Sequence, residues 1–172
     1  MTIVDDLAAA CKTAKAELGA ANQKLFAAAE HADTDAQTNR GRGLPGVGKS
    51  AEDIGEVVRE LVRTVAAAQR TIGKVAAAVA KLPEVDTKAA ALRALAENDA
   101  SLPAALDVLS ATRMAVNSAV GTAIRVLGAP EQPEPELAND LRLAGGRVDD
   151  AIIAVGRVLR ANEEGTDAIA AM

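Results

Sequence analysis

The sequence predicts an all-α protein, an elongated antiparallel four-helix bundle running up-down-up-down, with a third helix kinked or broken near Ser101-Pro103. Three observations predict it. First, alanine supplies about a quarter of the 172 residues, while the aromatic content is a single Phe26 with no Trp or Tyr. Alanine ranks first in helix propensity, and β proteins need aromatic and β-branched residues on their pleated faces. Second, Ile54, Val58, Leu61, Val65, Ala68, Ile72, Val75, Val79 and Leu82 alternate at steps of four and three, with no charge on any of them. This is the apolar stripe of a helix of about 31 residues, or about 45 Å at 1.5 Å per residue. Third, three further segments carry comparable stripes and are joined by short connections, which makes neighbours antiparallel.

The first helix is expected over about 2–38. Val4, Leu7, Cys11, Ala14, Leu18, Ala21, Leu25, Ala28 and Ala32 keep the three-four alternation, and the pattern fails at Asp35. Small residues between large ones let a neighbouring helix come close. Gly41 to Gly48, with Pro45 in its middle, reads as a loop, and Ser50 reads as the N-cap of a second helix over about 51–82. That helix stops at Pro83, whose ring and missing N–H oppose continuation.

Asp86 or Thr87 can cap the third helix, expected over about 87–128 with a break near 99–103, where Ser101 offers a fresh cap before Pro103. Strict spacing would bury Arg113, so a local shift that buries Thr112 instead is expected, and Gly128 is the C-cap candidate. Ala129 to Pro135 is a short, stiff, acidic linker. The fourth helix, over about 136–170, carries Leu137, Leu141, Ala144, Val148, Ala151, Val155 and Val158, with Asn162 and Gly165 interrupting the stripe before Ile169. Residues 1–172 are thus expected to form a single domain. Arg59, Arg63, Arg70 and Lys74 lie off the second stripe and read as a solvated face.

The bulk properties exclude several classes of function. A net charge of −5 opposes general attraction to nucleic acid or anionic membrane, and base stacking has almost no aromatic residue to use. No apolar run approaches the length of a membrane span, and no secretory leader is recognisable, so the expected compartment is cytoplasmic. His31 is the only histidine, so neither a histidine metal cluster nor a Ser-His-Asp triad can assemble. Cys11 is the only cysteine and sits on an apolar stripe, as a small core residue would. No catalytic residue, no metal site and no cofactor is expected.

One motif stands apart. Gly43-Leu44-Pro45-Gly46-Val47-Gly48-Lys49-Ser50 matches G-x-x-x-x-G-K-[ST] and resembles the Walker A loop of P-loop nucleotidases. The resemblance covers these eight residues. It implies that Gly43 and Gly48 shape a loop whose N–H groups cradle phosphates, that Lys49 reaches those phosphates, and that Ser50 binds Mg²⁺. Such a loop follows a buried strand, yet residues 33–42 are polar throughout apart from Ala36.

The function expected is that of a non-enzymatic helical-bundle interaction or structural protein, acting through helix–helix contacts with itself or a protein partner. A second reading is a phosphate- or nucleotide-responsive protein using loop 43–50. A third rests on architecture: long antiparallel helices without a signal peptide are broadly similar to the small helical substrates of type VII secretion. Those carry a Trp-x-Gly turn, whereas this chain has no Trp and a longer turn.

Overall fold

The computed structural model describes residues 2–172, and Met1 lies outside the described residues. Four helices account for nearly all of it: α1 (Ile3–Gly41), α2 (Pro45–Lys81), α3 (Lys88–Leu127) and α4 (Glu136–Ala171). A single 3₁₀ turn, Leu82–Glu84, follows α2 and contains Pro83. The helices hold 36 to 40 residues each, so each rod is about 55–60 Å long.

α1 packs on α2 and α4, and α3 packs on α4 and α2. Side-chain pairs step in opposite directions along each seam, which fixes the antiparallel sense. Asn22 meets Gln69 and Asp33 meets Arg59 across α1–α2, while Asn98 meets Asn162 and Arg113 meets Asp149 across α3–α4. Arg59 therefore leaves the solvated face expected for it and reaches over to α1.

The core is the set of stripes seen in the sequence. From Leu7 to Ala32 every stripe residue of α1 is buried, as is every one from Ile54 to Val79 of α2. Burying large aliphatic side chains contributes about 1.5–3 kcal/mol each, and this drives the assembly. α3 shows the expected register shift: Thr112 is 2% exposed, donates to the Val108 carbonyl and shares a hydrogen bond with Thr64 of α2. Arg113 lies instead over Gly145 of α4, bound to Asp149 at 2.9 Å.

Four expectations are corrected. α1 continues past residue 38 to Gly41, because Asn39 donates to the Asp35 carbonyl and the chain turns only at Gly43, whose φ is +75°. α2 begins at Pro45, not at 51. Proline suits the first helical position, where its fixed φ is correct and its missing N–H has no intrahelical partner to lose. Leu44 is the N-cap, so Ser50 caps nothing. α3 runs through residues 99–103 without the expected break. Pro103 removes the one hydrogen bond to the Asp99 carbonyl, and packing on both sides of it holds the helix together, with Leu102 and Ala105 buried. In α4, finally, Asn162 and Gly165 do not interrupt the stripe. Both are buried and continue it.

The caps follow ordinary chemistry. Thr2 and Asp5 form a capping box at α1, and Thr87 accepts from the Ala90 N–H at α3. Gly128 closes α3 as expected, at a crowded point where a Cβ would come within 2.8 Å of the Pro133 carbonyl oxygen.

Candidate functional site

The eight residues of the Walker-A-like motif do not form a loop. Gly43 makes the turn, and Pro45 to Ser50 are the first turns of α2. Gly48 sits at the close approach of α2 to α1, where a Cβ would lie 2.6 Å from Arg40 Cγ and 2.9 Å from the Ala36 carbonyl oxygen. Its N–H donates to the Leu44 carbonyl. Lys49 Nζ is 2.6 Å from Asp53 Oδ1, and this hydrogen bond, with the carboxylate's charge, raises the lysine pKa. The Ser50 hydroxyl donates to the Gly46 carbonyl. The structure keeps Gly43, Gly48, Lys49 and Ser50 near one another, but Gly43 only turns the chain, Gly48 packs against α1, and the Lys49 and Ser50 side chains bond within α2. The segment that precedes them is helix α1, where a P-loop would have a strand.

A cluster the sequence reading left apart forms at the same end of the bundle. His31 of α1 is 2.6 Å through Nδ1 from Asp140 of α4, and its Nε2 is 3.6 Å from Asp35. Burial pushes the Asp35 pKa up; the nearby His31 opposes this, while Glu136 and Asp140 add to it. Beside the cluster is a polar cavity of about 430 Å³, whose other walls include Asn39, Arg42 and the α3–α4 linker. The spacing of His31 and Asp35 by four was visible on a helix. Asp140 needed the α1–α4 register, which no local pattern reveals. Among the described residues, no three His, Cys, Asp or Glu side chains gather as a metal-binding group. Cys11 is 1% exposed in the core, and burial pushes its thiol pKa up.

A mainly apolar opening lies elsewhere, along the α2–α3 seam, where two neighbouring helices touch least. Near the start of α2 it widens to about 420 Å³ between Ile54 and Val57 on one side and Ala115 and Ala119 on the other. A second, separate hollow of about 250 Å³ lies farther along the same seam between Ala67, Thr71, Ala104 and Val108, beyond the Thr64–Thr112 hydrogen bond that crosses it. Val57 and Val108 stand 47% and 40% exposed on its lips. Small residues of α3, Ala115 and Ala119, leave the first hollow open beside Ile54 and Val57, and Ala67 opposite Ala104 leaves the second hollow open. No helix among the described residues is long and apolar enough to cross a membrane. Comparison of the chain with family models, with curated protein sequences and with solved structures finds no match.

Proposed function

We propose that the protein is a non-enzymatic helical-bundle interaction module that receives a helix in the groove between α2 and α3. The observation that carries this reading is the groove itself. It consists of two hollows along the same seam, one beside Val57 and one beside Thr71, separated by the Thr64–Thr112 hydrogen bond, with mainly apolar walls and with Val57 and Val108 left partly uncovered. An amphipathic helix laid in an apolar groove uses this geometry, reading it through anchors one turn apart.

A photoreactive residue at position 57 or 108 tests the reading. Adducts with a protein chain are expected from both positions and none from position 163, on the solvent face of α4. Melting curves with and without Mg-nucleotide, on the parent and on Lys49→Ala, are expected to coincide. A stabilisation of the parent that Lys49→Ala abolishes, or robust turnover lost on a single polar substitution, overturns the reading.

A further inference from the structure

Along α2, Asp53, Glu60, Ala67, Lys74 and Lys81 recur at strict seven-residue intervals. A seven-residue interval returns to the same side of a helix, so these five form one line. Ala67 is half-buried on the groove and the four charged residues are exposed. The line begins with two acids, passes through a small residue and ends with two bases. The neighbouring line, Val57, Thr64, Thr71 and Ala78, holds small or apolar residues only, and three of its members line the groove or bond across it.

Beyond Lys49, which is paired with Asp53, the charge division extends along the outer side of α2 from Glu52 to Lys81. From Glu52 to Glu60 the acids are Glu52, Asp53, Glu56 and Glu60, and the one base, Arg59, is turned to Asp33 of α1. From Leu61 to Lys81 the charged residues are Arg63, Arg70, Lys74 and Lys81, with no acid. Beside it, α3 exposes the small residues Ala100, Ala104, Ala111 and Ser118, together with the larger Asp107 and Met114.

This line, with its acidic start, small centre and basic end, is complementary to itself once turned end over end. Off the line, Arg63 of each copy faces Arg70 of the other on the solvent flank, where water and salt screen them. We infer that a second copy of this chain is the occupant of the α2–α3 face, seated antiparallel about a two-fold axis at Ala67. In that register Ala67 meets its own counterpart, Glu60 of each copy meets Lys74 of the other, Asp53 meets Lys81, and Val57 rests near Ala77 and Ala78. A two-fold interface requires such self-matching, in which each contact occurs twice. The present partners of these charges do not oppose it: Asp53 holds Lys49 and Glu60 holds Arg63 in exposed pairs that cost little to exchange. Complementary charges at the ends set register and orientation, while the small centre lets the two α2 rods approach closely.

This inference rests on the reading of the α2–α3 groove as a helix seat and names its occupant. Sedimentation equilibrium of the purified full chain tests it, with circular dichroism melts confirming that each variant is folded. A reversible dimer of the 17.5 kDa chain is expected, weakening as salt is raised. Glu60→Lys alone and Lys74→Glu alone are each expected to weaken the dimer about tenfold or more at low salt, by placing like charges opposite each other. The two together in one chain restore it, because each copy again presents base to acid. Ala67→Cys is expected to give a disulfide-linked dimer under mild oxidation.

A chain that stays monomeric at all concentrations overturns the second copy as occupant, including the case where it binds only a different protein; the groove reading then still stands or falls on its own crosslinks. A dimer indifferent to both charge substitutions, with no disulfide at position 67, places the contact on another face and overturns the inference as well.

Discussion

The side-chain amide of Asn98 donates to Asn162 at 2.9 Å across the α3–α4 seam, inside a largely aliphatic core. The second amide continues the network, since Asn162 Nδ2 reaches the Leu95 carbonyl at 2.9 Å and Asp99 at 2.6 Å. Asn162 is fully buried and Asn98 nearly so. Removing one partner strands the other's polar atoms, whereas removing both leaves an ordinary apolar contact. Asn162→Ala is therefore expected to cost about 1–3 kcal/mol in urea denaturation. The double replacement Asn98→Leu with Asn162→Leu is expected to cost clearly less. Equal losses in the two would show that the network's polarity is immaterial and only volume counts.

The same pair marks where sequence reading ends. A stripe of Leu, Val and Ala is legible because each residue votes for burial alone, and α1, α2 and α4 formed where their stripes lie. Asn162 reads as an interruption because its partners stand on another helix, out of reach of any local pattern. Pro103 misleads for a related reason: its local cost is real, but buried neighbours on either side outweigh it. The motif at 43–50 misleads most. Gly and Pro signal a turn wherever they stand alone, yet here Pro45 starts a helix and Gly48 permits a crossing. His31 was legible as a lone histidine and not as a link between α1 and α4, since only the fold brings Asp140 to it.

Two glycines of α2 should respond to alanine with opposite signs. Gly73 has open space around the position of a Cβ, so Gly73→Ala gains helix propensity and loses nothing. A stabilisation of about 0.5–1 kcal/mol is expected. At Gly48 the new methyl would collide with Arg40 and with the Ala36 backbone, so α2 must shift away from α1. A loss of about 1–3 kcal/mol is expected, as for other overpacked sites. Thermal melts of the two variants give the comparison directly, and a shared sign would refute the close crossing.

Cys11 offers a probe of the core's integrity. It is almost wholly buried, and burial holds its thiol above the ordinary range, so little thiolate exists at neutral pH. An aromatic disulfide reagent is expected to leave the native chain unlabelled and to react with one thiol per chain in denaturant. Rapid labelling without denaturant would mean that α1 opens far more readily than its buried stripe implies.

The acidic cluster at the His31 end predicts a pH dependence whose sign can be worked out. Burial, with Glu136 and Asp140 nearby, raises the Asp35 pKa in the folded chain above the ordinary value of an aspartate, against the pull of His31. Folded Asp35 thus holds its proton to higher pH than unfolded Asp35 does. The unfolded state binds fewer protons in that interval, so stability falls as pH rises through it and the loss persists at neutral pH. Below the unfolded value both states are protonated and the penalty vanishes. Asp35→Asn removes the ionisation and keeps the shape. At pH 7 it is expected to melt about 1–3 °C above the parent, a small gain because the carboxylate is only partly buried. The advantage should shrink as pH is lowered and be gone near pH 3. A variant less stable than the parent at pH 7 would mean that the carboxylate's attraction to His31 outweighs its burial and its repulsion from Glu136 and Asp140, reversing the balance assigned to this corner of the bundle.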